Sequence, residues 1–175
     1  TNLFNQCSEL KIACLLHTTK FMSLNSSKFF SESIFSSCFN LVEVILPHLQ
    51  VVPQYCFAFC SSLKKVHLPN ARRIDDFGFH KCKSLKKLEL SNLETIGKIG
   101  ECANLEEFCA PKLQKCAQNA FQGCNSVQKL VIGNKNLVCR CGNCFVCSGN
   151  FANAVGKGKC LFKFVMVRDI EGQRW

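Results

Sequence analysis

Apolar and polar positions along this chain repeat one phrase six times. Each copy opens on a cysteine and continues Cys-x-x-Leu-x-x-apolar-x-apolar, at Cys7, Cys38, Cys60, Cys82, Cys102 and Cys124, with spacings of 31, 22, 22, 20 and 22 residues. The Leu slot holds Leu10, Leu41, Leu63, Leu85 and Leu105, with Val127 in the last copy. The next apolar slot holds Ala13, Val44, Val66, Leu88, Phe108 and Leu130, and the slot two residues on holds Leu15, Leu46, Leu68, Leu90, Ala110 and Ile132. An apolar-x-apolar pair alternates as an extended strand requires, so each copy predicts one short strand with its intervening residue facing away from the core. Pro47, Pro69 and Pro111 follow the last slot directly. Proline lacks the N–H that would continue a ladder, so it ends the strand and begins a turn.

The rest of each coil carries two further apolar columns. Phe21, Val52, Ile74, Ile96, Cys116 and Val138 stand fourteen residues after the phrase cysteine. Phe4, Phe35, Phe57, Phe79 and Phe121 stand three residues before it, with Ile99 in that place in the short coil. These two columns suffice to anchor a return segment against the strand. A single coil cannot bury its own apolar side, whereas stacked coils can, so the period predicts a solenoid of about six coils.

The segments FHKCKSLKKLEL (Phe79 to Leu90) and FAFCSSLKKVHLPN (Phe57 to Asn70) resemble the BspA-type leucine-rich repeat, in which Phe-x-x-Cys-x-x-Leu-x-x-Ile-x-Leu-Pro recurs. The resemblance runs from about Phe4 to Val138. It implies an α/β-type repeat solenoid: a right-handed coil with a parallel β-sheet on the concave side and irregular or short-helical convex segments. It also implies a binding role, with adhesion or host-surface recognition the use expected from members displayed on microbial cells and intracellular scaffolding the alternative. Two departures stand out: nine extra residues between Cys7 and Cys38, and a tail after Val138 that loses the phrase. The expected organisation is therefore a solenoid over residues 1–138 and a cysteine-rich cap or tail over 139–175. The extra residues fall near 22–34, Ser-rich around two aromatics, and read either as an excursion from the convex side or as a hidden degenerate coil. They include an N-glycosylation sequon at Asn25, relevant only if the protein is secreted.

At 175 residues and 47% apolar content, the chain has the size and composition of one domain with an ample core. The apolar stretch from Cys160 to Val167 is interrupted by Lys163 and far too short to span a bilayer. The chain starts inside a repeat, on Thr1, and reads as a fragment from which a signal peptide could have been removed. Localisation stays open between cell surface and cytoplasm.

Fifteen cysteines fall into three groups. The six phrase cysteines sit beside Phe in an inward column, where Cys behaves as a small apolar residue. Cys14, Cys56, Cys109 and Cys116 are scattered over other columns, and Cys109 occupies a strand slot expected to face solvent. In the tail, Cys139, Cys141, Cys144 and Cys147 lie within nine residues. Four thiolates at that spacing suit a tetrahedral zinc site, a disulfide-stapled tail or plain thiols, and Cys160 lacks an obvious partner.

Lys and Arg number 22 against 12 Asp and Glu, for a net charge of +10. Registering the strands places Val42, Glu43 and Ile45, then Lys64, Lys65 and His67, then Lys86, Lys87 and Glu89 on the exposed concave sheet. Glu106, Glu107 and Cys109 follow, with Gln128, Lys129 and Val131 last. The face is striped, basic then acidic, and the aromatics fall in core columns. Nucleic acid is thus an improbable ligand, since a nucleic-acid groove combines continuous positive charge with exposed rings. The partner expected at this face is a protein or surface glycan, with an acidic one favoured by the lysines.

Catalytic groupings are hard to find. His17, His48, His67 and His80 occupy different columns, and none forms a short motif with Asp, Ser or Cys. Asp75 and Asp76 are adjacent and are expected to solvate the return loop. Gly156 and Gly158 flank a lysine but lack the Ser or Thr of a phosphate-binding loop. The chain therefore reads as a non-enzymatic binding module that uses the concave face, the alternative being an intracellular scaffold with a metal-binding cysteine-rich cap.

Overall fold

The computed structural model describes residues 4–15 and 33–132. Each phrase forms a strand where its alternation predicts one: β1 (Ile12–Cys14), β2 (Glu43–Ile45), β4 (Lys65–His67), β6 (Lys87–Glu89), β8 (Glu107–Ala110) and β10 (Lys129–Ile132). Between them lie four two-residue strands, β3 (Val51–Val52), β5 (Arg73–Ile74), β7 (Thr95–Ile96) and β9 (Lys115–Cys116). Every pairing is parallel, and each register joins equivalent residues of successive coils, as in Val44 with Val66 and Phe108 with Leu130.

Of the two forms expected for the convex segments, irregular or short-helical, the helical one is not taken. No helix occurs among the described residues; the return segments instead form a second parallel sheet in the order β3-β5-β7-β9. The return is split by two turns and carries β-branched Val52, Ile74 and Ile96 on its inner side, all buried. Segments that short cannot complete and cap a helix, whereas two extended residues gain ladder bonds from the coils on either side.

The long first spacing does not disturb stacking. β1 pairs directly with β2, Ile12 opposite Glu43, so no strand of a hidden coil is intercalated between them. The extra residues fall within 16–32, outside the described residues.

Three ladders run along the coil axis and hold the core. Phe4, Phe35, Phe57 and Phe79 stack face to face with centroids 5.2, 5.4 and 5.1 Å apart. Burying each such ring contributes about 1.5–3 kcal/mol. Beside them, the phrase-cysteine thiols donate to the Phe carbonyls one coil back: Cys38 to Phe4 at 2.8 Å, Cys60 to Phe35 at 3.0 Å, Cys82 to Phe57 at 3.1 Å and Cys102 to Phe79 at 3.0 Å. The column thus selects cysteine for two properties at once, apolar bulk and a donor that meets an inward-facing carbonyl.

The third ladder depends on an uncommon backbone conformation. The residue before each phrase cysteine has positive φ: Gln6, Ser37, Phe59, Lys81, Glu101 and Gly123. In that conformation its N–H points along the solenoid axis to the next coil, as in Ser37 to the Ala58 carbonyl at 2.8 Å and Phe59 to the His80 carbonyl at 2.7 Å. Only one of these positions is glycine, so stacking compensates the left-handed strain at the rest.

Candidate functional site

The long strands do not form one continuous sheet. They form two three-stranded sheets, β1-β2-β4 and β6-β8-β10, with a break where β4 and β6 lie side by side. Charge explains where the break falls. In the 22-residue register Lys65 would stand opposite Lys87, and Lys64 opposite Lys86, and like charges directly opposite destabilise a strand pair. At the intact pairings the opposed residues are complementary instead: Glu43 with Lys65, Lys87 with Glu107, Glu107 with Lys129.

A cleft of about 700 Å³ opens at the break. Ile45, Val66 and Leu68 line it from the apolar side, and Lys64, Lys65, His67, Lys87 and Glu89 from the polar side. Val66 is only partly buried, whereas its equivalents Val44, Leu88 and Phe108 are fully buried. The sheet therefore shows core-type surface here and at no equivalent central strand position of β2, β6 or β8.

All ten expected contact residues lie on or beside these long strands, and most of their charges are already paired. Glu43 meets Lys65 at 4.0 Å and His67 at 3.4 Å. Lys86 meets Glu106 at 3.0 Å, while Lys87 meets Glu89 at 2.9 Å and Glu107 at 3.7 Å. Lys129 meets Glu107 at 3.2 Å. The hydrogen bond from Lys87 to Glu89 raises the lysine pKa above its ordinary value. Exposed pairs of this kind contribute little each, but they balance the field of the face. Lys64, exposed at the rim of the cleft, has no ion-pair partner among the described residues. The stripe read from sequence is thus a set of cross-strand pairs with one ammonium left over.

Cys109 lies half-buried on β8. Burial and then the Glu89 charge push its thiol pKa up, and Lys129 and Lys87 only partly offset them, so the thiol stays protonated and weakly nucleophilic. Among the phrase cysteines, Cys38, Cys60, Cys82, Cys102 and Cys124 are buried. Burial, with the neighbouring Cys38 and Cys56 thiols adding to it, drives the Cys60 thiol well above the ordinary range.

Asp75 and Asp76 brace their coil rather than merely solvating it. Asp75 is held by Arg73 at 2.9 Å, and Asp76 Oδ1 accepts the Lys98 N–H of the next coil at 2.9 Å. Burial raises the Asp75 pKa despite Arg73. Gly97 permits this approach, since a Cβ there would lie 2.7 Å from both the Asp76 nitrogen and its Oδ1. His67 and His80 face Glu43 and Glu101 respectively, far apart in the repeat, and His17 lies outside the described residues. Among the described residues no three His, Cys, Asp or Glu side chains gather as a metal site, and no helix is long and apolar enough to cross a membrane. Cys139, Cys141, Cys144 and Cys147, the candidate zinc ligands, lie outside the described residues.

The break at β4 and β6 was missed by sequence reasoning, although its signal was present. Two successive phrases carry a Lys-Lys pair in the same slots, and a parallel register sets like residues opposite each other.

Comparison with known proteins agrees with this geometry. The model of the BspA type leucine rich repeat region matches residues 28–145 in six copies. The crystal structure of a leucine-rich repeat protein from Treponema pallidum is 29% identical, with a TM-score of 0.58, over 64% of this chain and 58% of that one. That of a leucine-rich repeat protein from Bacteroides ovatus is 25% identical, with a TM-score of 0.66, over 94% of this chain and 38% of that one. The chain thus spans less than two thirds of either protein. No curated protein matches it significantly. Six registered phrases, parallel ladders of equivalent residues and this family match together place the chain in the BspA-type leucine-rich repeat family.

Proposed function

We propose that the chain is a non-catalytic protein-binding module whose contact surface is centred on the break between β4 and β6. The observation that carries this reading is the pairing of exposed core-type surface at Val66 with an unpaired ammonium at Lys64, on a face otherwise neutralised by its own ion pairs. An apolar floor with a few placed charges is how binding energy concentrates in interfaces, while balanced pairs around it contribute little. Repeat solenoids present such a surface as one patch built from several coils. The partner that fits is an extended acidic segment of a protein, its carboxylate on Lys64 and an apolar side chain over Val66.

Titrating 15N-labelled protein with extended peptides that alternate Glu and Leu tests the reading. Shifts confined to Lys64 to Leu68 and Lys87 to Glu89, and lost on Lys64→Glu with Lys65→Glu, are expected. Shifts elsewhere, or binding indifferent to charge reversal at Lys64, Lys65, Lys86 and Lys87, overturn it. The adhesive, surface-displayed form of the proposal further expects disulfides within the segment from Cys139 to Cys147. A free-thiol count close to 15 in protein unfolded without reductant overturns that form.

A further inference from the structure

Successive coils are joined on the concave face by a recurring set of backbone bonds. Two adjacent N–H groups at the head of a strand converge on one carbonyl of the coil before: Lys64 and Lys65 on Val42 at 2.9 and 3.1 Å, Glu106 and Glu107 on Lys86 at 2.8 and 3.0 Å. At the strand's far end the Leu46 N–H donates forward to the His67 carbonyl at 3.0 Å, and that of Leu90 to Cys109 at 2.8 Å. Between β4 and β6 all three bonds are lacking. The Lys86 and Lys87 N–H groups do not reach the Lys64 carbonyl, nor does the Leu68 N–H reach that of Glu89.

The gap is confined to this one face. Elsewhere the same two coils are joined: Ser84 N–H donates to the Ser61 carbonyl at 3.1 Å, Phe57 to Gly78 at 2.9 Å and Glu94 to Arg72 at 2.8 Å, and the Phe57 and Phe79 rings stack at 5.1 Å. A stack that is bonded on its other sides and open on one can flex as a hinge, here about the intact sheet β3-β5-β7-β9. The ion pairs follow the same division. Lys65 and His67 reach back to Glu43 on β2, Lys86 and Lys87 reach forward to Glu106 and Glu107 at the head of β8, and among the described residues no ion pair joins β4 to β6. Across the gap lysine faces lysine. Repulsion between opposed like charges and the net gain from a few ladder bonds are of similar size, so a change in charge moves the balance between open and closed.

We infer that the break is a charge-set hinge that gates the docking cleft: the charged lysines hold it open and expose Val66, and loss or screening of their charge lets the ladder close over it. The gating role rests on the protein-binding reading above, whereas the hinge itself does not. Lys64, Lys65, Lys86 and Lys87 thus do more than attract an acidic partner, because they keep its apolar seat accessible. A partner that binds only the open form shifts the population toward it.

Amide exchange of the whole chain, measured residue by residue with no peptide present, tests the hinge. At about 0.01 M NaCl, protection factors at Lys86, Lys87 and Leu68 should be at least about tenfold below those at Lys64, Lys65 and Leu90. About 1 M NaCl shortens the screening length from about 30 to about 3 Å and should narrow that difference. The double variant Lys65→Thr with Lys87→Thr should narrow it at low salt. Lys65→Glu sets a carboxylate opposite both Lys87 and Glu43, so the break should move by one coil, with protection rising at Leu68, Lys86 and Lys87 and falling at Leu46. Equal protection at the two sets of amides in the native chain, a difference unmoved by salt or by the double variant, or no loss at Leu46 in Lys65→Glu each overturns the hinge. These outcomes leave the docking reading standing, whereas peptides that fail to bind while the exchange pattern holds remove the docking reading alone.

Discussion

The thiol of Cys82 donates to the carbonyl of Phe57, one coil back, at 3.1 Å. The same carbonyl also accepts the N–H of Cys60 at 3.3 Å, so a single oxygen ties two coils together. Cys82→Ala removes the donor and opens a small cavity, and is expected to lower stability by about 1–3 kcal/mol in urea unfolding. Burial raises the Cys82 pKa, so its alkylation should require global unfolding. Alkylation of Cys82 as fast as that of exposed Cys14 in native protein would show that the ladder does not close.

Ser37 sits at φ 61° and donates its N–H to the Ala58 carbonyl at 2.8 Å. An L-residue is strained by about 1–2 kcal/mol in the left-handed region, whereas glycine enters it freely but adds entropy to the unfolded chain. Ser37→Gly should therefore stabilise by about 0.5–1 kcal/mol, and Ser37→Val should destabilise, because a β-branched residue tolerates this conformation worst. Thermal midpoints of the two variants moving in the same direction would contradict the geometry.

Much of this architecture could be read from the columns, because a solenoid translates sequence period directly into neighbours. Val44 contacts Val66 for the same reason that both follow their cysteines by six residues. The features that sequence reading missed are those where a column changes meaning. A run of Gln6, Ser37, Phe59, Lys81 and Glu101 shares no chemistry, since its selection acts on φ and the side chains project outward. The sheet break at Lys65 and Lys87 depends on what lies opposite, which emerges only when coils are paired. Likewise the cavity lined by His80, Gly100 and Gln122 lies where the approach from Ile96 to Cys102 is two residues short, and a column cannot display residues that are missing.

Phe108 stands where other strands carry Ala, Val or Leu, in the same coil that carries Ile99 in place of Phe. The face-to-face stack ends at Phe79, and Phe121 meets Phe108 edge-on at 5.0 Å. The ring has moved from the column before Cys102 to the strand after it, keeping the core filled. Phe108→Leu should therefore cost at least about 1 kcal/mol, and Ile99→Phe about 1–3 kcal/mol through overpacking. Combined, they should be less destabilising than the sum of the two, with a coupling of about 0.5 kcal/mol or more in a double-mutant cycle. Strict additivity would show that the two substitutions are independent.

His80 gives the fold a pH dependence. Burial against Phe59 and Phe77 holds its pKa below the ordinary 6.5, the Glu101 carboxylate and the Gly100 backbone pull it back up in part, and the Lys81 ammonium lowers it further. Lys98, which lines the same cavity as His80, adds positive charge on the same side of the balance. With the folded pKa depressed, the unfolded chain binds the proton first as pH falls. Stability from neutral His80 is therefore fully present above 6.5 and declines as pH drops through that value toward the folded pKa. Urea midpoints compared at about pH 7.5 and about pH 5.5 should fall for the native chain, and His80→Gln should reduce that fall. Equal falls in both proteins would place the pH dependence on other groups and leave His80 without a role in it.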